Sequence, residues 1–138
     1  MILVDTNVIS EPLRHAPEPR VIEWIDTQPI ETLYLAAITV AELRFGVASL
    51  PAGKRRNSLH EGLEKQVLPL FAGRVLPFEM STSQSYAELM AKARAVGLAI
   101  GTADGYIAAT ATANGMMVAT RDTHPFEAAG VSVINPWR

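Results

Sequence analysis

Met1-Ile2-Leu3-Val4-Asp5-Thr6-Asn7 begins the chain, with four apolar residues in a row followed by an acid, a hydroxyl and an amide. A strand-length run without in/out alternation suits a parallel sheet that is covered on both faces. Leu33–Ala36, Val75–Phe78, Met116–Ala119 and Val131–Ile134 read the same way. Helical patterns lie between them. A short helix follows Asn7, and a second covers Pro19–Asp26 with Val21, Ile22 and Ile25 inward. Thr39 opens a third, whose Val40, Leu43, Val47 and Leu50 form an apolar stripe until Pro51-Ala52-Gly53 breaks it. Lys54–Gln66 predicts a fourth helix, ending near Pro69. Ser81 or Ser83 caps a fifth, which Gly97 stops, and Thr102 caps a sixth, which ends at Asn114-Gly115. A last helical turn fits Thr123–Ala129. Strands alternating with helices predict an α/β fold, a three-layer α/β/α sandwich around a mostly parallel sheet.

The 138 residues contain no repeat, low-complexity tract or linker, so residues 1–138 read as a single domain. Half the chain is apolar (49%), ample for a core. Only 19% is charged, against about 25% in soluble domains, which suits a surface partly covered by a partner or a second copy. Twelve basic and fourteen acidic residues leave a net charge of −2, which argues against a domain that clamps nucleic acid mainly through a basic surface but not against an enzyme that holds a phosphodiester through metal ions. The absence of cysteine excludes disulfides, thiolate zinc sites and a cysteine nucleophile. His15, His60 and His124 share no ligand spacing. Without a leader pattern or an apolar run of about 18 residues, the chain reads as cytoplasmic, with no membrane segment.

The four aspartates are Asp5, Asp26, Asp104 and Asp122, and three sit where ligands bind in such folds. Asp5 ends the first strand and Asp122 follows the fourth, so both should emerge at the carboxyl edge of the sheet. Each also has a structural explanation as a helix N-cap. Asp104 lies in the first turn of its helix, in register with Ile107, Ala108 and Ala111, so it heads the buried stripe of a small-residue helix. Glu42 completes Thr39-x-x-Glu42, a capping box by spacing, and its helix begins at the same edge. Two carboxylates about 4 Å apart repel by about 4 kcal/mol at an effective dielectric of about 20. An acid cluster with no matching basic cluster therefore calls for protonation or a cation. Oxygen donors without cysteine and with few histidines select Mg²⁺ or Mn²⁺ and phosphoryl chemistry.

Four stretches carry a resemblance. They are Met1 to Ser10 with Asp5-Thr6-Asn7, Ala37 to Gly46 with Thr39 and Glu42, Thr102 to Thr110 with Asp104, and Val118 to Thr123 with Thr120-Arg121-Asp122. In order and spacing they resemble the motifs of PIN-domain proteins, in the FitB/VapC toxin branch, and the likeness runs to Asn135-Pro136-Trp137. The resemblance implies a metal-dependent ribonuclease, the toxin half of a toxin–antitoxin pair. By position, Asp5, Glu42, Asp104 and Asp122 match the family's acidic quartet, while Thr6 and Thr120 match its hydroxyl positions. Asp5 and Asp104 are the expected direct ligands of Mg²⁺ or Mn²⁺, with Glu42 and Asp122 binding a second ion, holding water or taking a proton. The implied reaction is RNA hydrolysis by a water activated at the ion. The implied partners are an antitoxin carrying a DNA-binding domain, so that DNA is met only through the complex, and a second copy of the chain. Departures from the family pattern fall in Gly97–Gly101 and His124-Pro125-Phe126.

Lys54-Arg55-Arg56 and Arg121 are candidate RNA contacts, although a basic run more often opens a solvated helix, and Arg121 also has the role of neutralising an acid. Two rival functions stand beside the nuclease. An aspartyl-phosphate or receiver-like Mg²⁺ domain also places an acid after strand one, but this chain lacks a second Asp at residue 7 and any lysine after Lys92. A catalytically poor PIN-like binding module would keep the fold without the reaction.

Overall fold

The computed structural model describes every residue from Met1 to Arg138. Five strands form one sheet: β1 (Ile2–Val4), β2 (Leu33–Ala36), β3 (Val75–Leu76), β4 (Met117–Ala119) and β5 (Val133–Ile134). They lie in the order β3-β2-β1-β4-β5, and every pair is parallel, so the sheet is wholly rather than mostly so. Some strands are shorter than their apolar runs. Pro77 offers no N–H to a ladder, and β3 stops before it. The Val131 N–H closes a turn onto the Phe126 carbonyl at 2.9 Å, so β5 starts two residues later than the apolar run.

Seven helices cover the sheet: α1 (Thr6–Ser10), α2 (Pro19–Thr27), α3 (Ala37–Ala48), α4 (Lys54–Glu61), α5 (Met80–Ala95), α6 (Thr102–Ala113) and α7 (His124–Ala128). Their starts correct several expectations. α3 begins at Ala37 directly off β2, so Thr39 is its third residue and not its cap. α5 is opened by a reciprocal box between Glu79 and Thr82, not by Ser81 or Ser83. Gly101, not Thr102, occupies the N-cap of α6. α4 continues into a wide π turn over Gly62–Val67, which absorbs the rest of the expected fourth helix.

Side chains alternate across the short strands. Leu3, Ala36 and Val118 face a core shared with Leu89 of α5, the alanines of α6 and Phe126 of α7. Val4, Leu33, Leu35 and Ala119 face a second core with Val8, Val21, Leu43, Leu63 and Phe71. This is the three-layer arrangement expected. α6 lies close because it is built of small residues. A Cβ at Gly105 would come 2.9 Å from Met90 Sδ and 3.1 Å from Tyr86 Cε2 of α5. No helix is long and apolar enough to cross a membrane.

The strand order places the site. From β1 the chain winds outward through β2 and β3, then returns to the other flank of β1 with β4 and β5. β1 is thus the point where the direction of winding reverses, and the crevice off its carboxyl end is where open parallel sheets bind ligands.

Candidate active site

Asp5 leaves β1 at that crevice and is only 5% exposed. It does cap α1, accepting the Thr6 N–H on Oδ1 at 2.8 Å. Its other oxygen is committed elsewhere. β1 and β4 run in register with Val4 beside Ala119, so the next residues, Asp5 and Thr120, also meet. The buried Thr120 hydroxyl donates to Asp5 Oδ2 at 2.8 Å, and the Asn7 amide approaches the same oxygen at 3.5 Å.

Thr120 also governs Asp122. Its Oγ1 accepts the Asp122 N–H at 3.1 Å, holding the turn after β4 that turns Asp122 toward solvent. Asp122 is not a helix cap, because Thr123 fills that position for α7. Glu42 reaches the site from the second turn of α3. It takes no part in a capping box, since α3 starts two residues before Thr39. Instead the Thr6 hydroxyl donates to Glu42 Oε1 at 2.8 Å and ties α1 to α3. Asp104 heads the buried stripe of α6 as its spacing predicts and is half-buried.

The electrostatics bind these four segments into one site. Burial pushes the Asp5 carboxyl up from its ordinary 3.8 to about 6, although the hydrogen bonds from Thr120 and Thr6 pull it down. The charges of Asp104 and Glu42 add to the rise. Asp104 is likewise raised, by burial first and then by the charges of Asp122 and Glu42. No basic side chain relieves them. The ion pairs of the chain are Arg14–Glu11, Arg44–Glu64 and Lys65–Glu61, and none includes an acid of this site.

The donor set suits a hard divalent ion. No three acidic or histidine side chains converge as a ready-made cage. Mg²⁺ does not require one, because it is typically held by one or two carboxylates and keeps several waters. Asp5, buried, and Asp104, half-buried, both raised by burial and by neighbouring carboxylates, are the pair that gains most from such a charge.

The chain matches the PIN domain family model over residues 2–131. The chain belongs to the PIN-domain family. It is 65% identical over 137 residues to the VapC ribonuclease Y4jK of Sinorhizobium fredii, an alignment covering 99% of this chain and 98% of that one. It is equally similar, at 65% over 99% of each chain, to the plasmid stability protein StbB of Pseudomonas syringae pv. tomato. Among solved structures, FitAcB from Neisseria gonorrhoeae superposes with a TM-score of 0.97 at 57% identity, covering 100% of this chain and 99% of that one. A FitAB structure bound to the IR36 DNA fragment matches equally well, at a TM-score of 0.97 and 56% identity. The family membership removes the receiver-like alternative.

The remaining candidates of this PIN domain lie further out. Lys54, Arg55 and Arg56 open α4, and only Arg56 is partly covered. Arg56 shares a cavity with Arg44, Val47 and His60, along the second half of α3 and away from the acids. Arg121 makes no ion pair with Asp122. Its guanidinium lies 5.1 Å from the Trp137 ring centroid, and its backbone N–H is held by Asn7 Oδ1 at 3.2 Å. Trp137 therefore acts as the rest for Arg121, a pairing across the chain that its isolated sequence position conceals.

Two polar residues gain roles that the sequence does not advertise. Asn7 links Asp5 to the β4–α7 turn, and its place in the Asp5-Thr6-Asn7 motif was the available signal. Glu11 is a carboxylate only 2% exposed, and no spacing marks it. Burial works to raise it, but the Glu18 N–H at 2.8 Å and Arg14 at 3.2 Å together hold it below its ordinary value.

Proposed function

We propose that this chain is a metal-dependent endoribonuclease and the toxin half of a toxin–antitoxin pair. The observation that carries the reading is the quartet of acids from four separate segments, which has no basic partner and whose buried member, Asp5, is raised to about 6 by burial first and then by the charges of Asp104 and Glu42. Such a site is poorly stable alone and is completed by a cation. The 65% identity to a VapC ribonuclease and 57% identity to FitB in its complex support the same reading.

Asp5 and Asp104 would hold Mg²⁺ or Mn²⁺. When bound, the ion supplies an acidified water and offsets charge on the phosphate oxygens. The chain's own residues do the rest. Thr120 and Thr6 fix Asp5 through both of its oxygens, so its orientation is set before any ligand arrives. Thr6 also restrains Glu42, which then faces the crevice as an acceptor for a water proton. Asp122, exposed at the rim, would hold water or a second cation. Arg121, propped on Trp137 beside this rim, is available to an RNA phosphate, and Lys54–Arg56 offer a more distant backbone contact.

The reading includes a cytoplasmic site of action, an antitoxin that covers the acidic crevice, and promoter DNA met only through that complex. It also includes a homodimer. Ala37, Ala41 and Phe45 form an exposed stripe on α3, with Phe45 74% exposed, and an exposed Phe78 borders Ala37 and Ala41.

The test is cleavage of end-labelled RNA with Mg²⁺ or Mn²⁺, with EDTA, and with Asp104→Asn. Metal-dependent cutting that leaves 3′-hydroxyl and 5′-phosphate ends, and is lost in the variant, is the expected result. Cutting that survives EDTA and leaves cyclic phosphates overturns the mechanism. Failure to cut any RNA with Mn²⁺ bound favours the binding-module alternative.

A further inference from the structure

Thr39 is 0% exposed, and its hydroxyl is the only buried side-chain polar atom with no hydrogen-bond partner within the protein. A helical threonine ordinarily donates to the carbonyl four residues back, as Thr110 does to Tyr106 at 2.8 Å. Thr39 has no such outlet, because four residues before it the chain is still strand β2. Leaving a buried hydroxyl unpaired is costly, so the group needs a polar partner.

Its direction follows from the helix. At about 3.6 residues per turn, Thr39 falls between Ile38 on one side and Val40 and Leu43 on the other. Ile38 packs into the core shared with α5 and α6, while Val40 and Leu43 pack into the core on the opposite face of the sheet. A side chain between them points over neither face. It points at the edge of the sheet, off the carboxyl ends of β2 and β1, where Asp5 emerges. Glu42, three residues on, occupies the same sector and meets Thr6. α3 packs against both α1, which Asp5 caps and Thr6 opens, and α6, which bears Asp104.

We infer that Thr39 is a positioning residue of the acid site, holding an ordered water that bridges its hydroxyl to the carboxylates of Asp5 and Glu42. A buried water requires two to four polar partners, and the hydroxyl with two carboxylates provides them. The water sets the inner boundary of the site and keeps both carboxylates aimed outward. This role rests on the ribonuclease reading, but the water itself does not.

Thr39→Val preserves shape and removes the hydroxyl, while Thr39→Ser retains it. The expected result for Thr39→Val is a fall of about tenfold in kcat with KM within about twofold, and a fall of about tenfold in Mn²⁺ affinity by calorimetry. Thr39→Ser should restore both to within about threefold. Wild-type turnover and Mn²⁺ affinity in Thr39→Val, with a raised Tm, would mean that the hydroxyl is merely an unpaired group and would overturn the role. A high-resolution crystal structure of the wild-type protein is the companion test. A water within hydrogen-bond reach of Thr39 Oγ1 and of either carboxylate is expected, and its absence overturns the inference even if the variants fold poorly. If the wild type cuts no RNA, the ribonuclease reading falls while calorimetry and crystallography still decide on Thr39.

Discussion

Asp5→Asn should make the metal-free protein more stable at neutral pH, even though it removes the central acid of the site. Asp5 is buried, and its carboxyl is pushed up from 3.8 to about 6. A carboxyl that is harder to ionise when folded binds its proton more tightly in the native state. Stability therefore declines as pH rises from about 4 through about 6, and it stays lower above that range. At about 1.36 kcal/mol per pH unit, the rise corresponds to about 3 kcal/mol lost by about pH 7.5. Asparagine removes that charge but has one acceptor oxygen where the carboxylate has two. Either the Thr6 N–H or the Thr120 hydroxyl then loses its partner, at about 1 kcal/mol. The net gain of about 2 kcal/mol raises Tm by about 6 °C in a chain of this size. Thermal melts in EDTA across this pH range test the claim. The advantage of the variant should vanish near pH 4, and added Mg²⁺ should raise the Tm of the wild type alone. An Asp5→Asn protein that melts at or below the wild type near neutrality, with a parallel pH profile, would refute the reasoning.

Three other outcomes follow from the same geometry. Thr120→Val strips a donor from Asp5 and an acceptor from the Asp122 N–H, so it should cost about 2–3 kcal/mol and at least tenfold in RNA cleavage, with Thr120→Ser retaining most of both. Glu11 has the opposite sign from Asp5: its carboxyl is held below 4.5, so the stability it contributes is present above that value and is lost as pH falls through the lowered one. Glu11→Gln should flatten that acid limb in denaturant titrations and lower stability by about 1–3 kcal/mol at neutral pH. Phe45→Glu places a charge in the exposed α3 stripe and should shift the chain toward monomer in sedimentation velocity without unfolding it.

Much of the site is legible in the sequence. The acids of β1 and the turn after β4 were readable because parallel strands deliver their carboxyl ends to a single edge, and each acid follows an apolar run. Asp104 was readable from its register with Ile107, Ala108 and Ala111. Local hydrogen bonding is not legible where one residue has two possible local roles. Thr39 and Glu42 fit a capping box by spacing, but α3 springs directly from β2 and its first turn lies two residues earlier. Ser81 and Ser83 fit a cap equally well, yet Glu79 and Thr82 make the reciprocal bonds. Spacing identifies possible hydrogen bonds, and the helix start decides which of them exist.

Hydrophobic pattern and the placement of acids determined the architecture and the chemical class, because strand length, helix period and the shortage of counter-charge are properties of neighbouring residues. Only the tertiary structure decided the pairings. Thr120 with Asp5 spans 115 residues, Thr6 with Glu42 spans 36, and Arg121 finds its rest on Trp137. It likewise decided that Thr39 is buried without a partner, since that depends on which segments close around α3. Contacts of this kind are set by sheet order and helix packing, which no local stretch of sequence encodes.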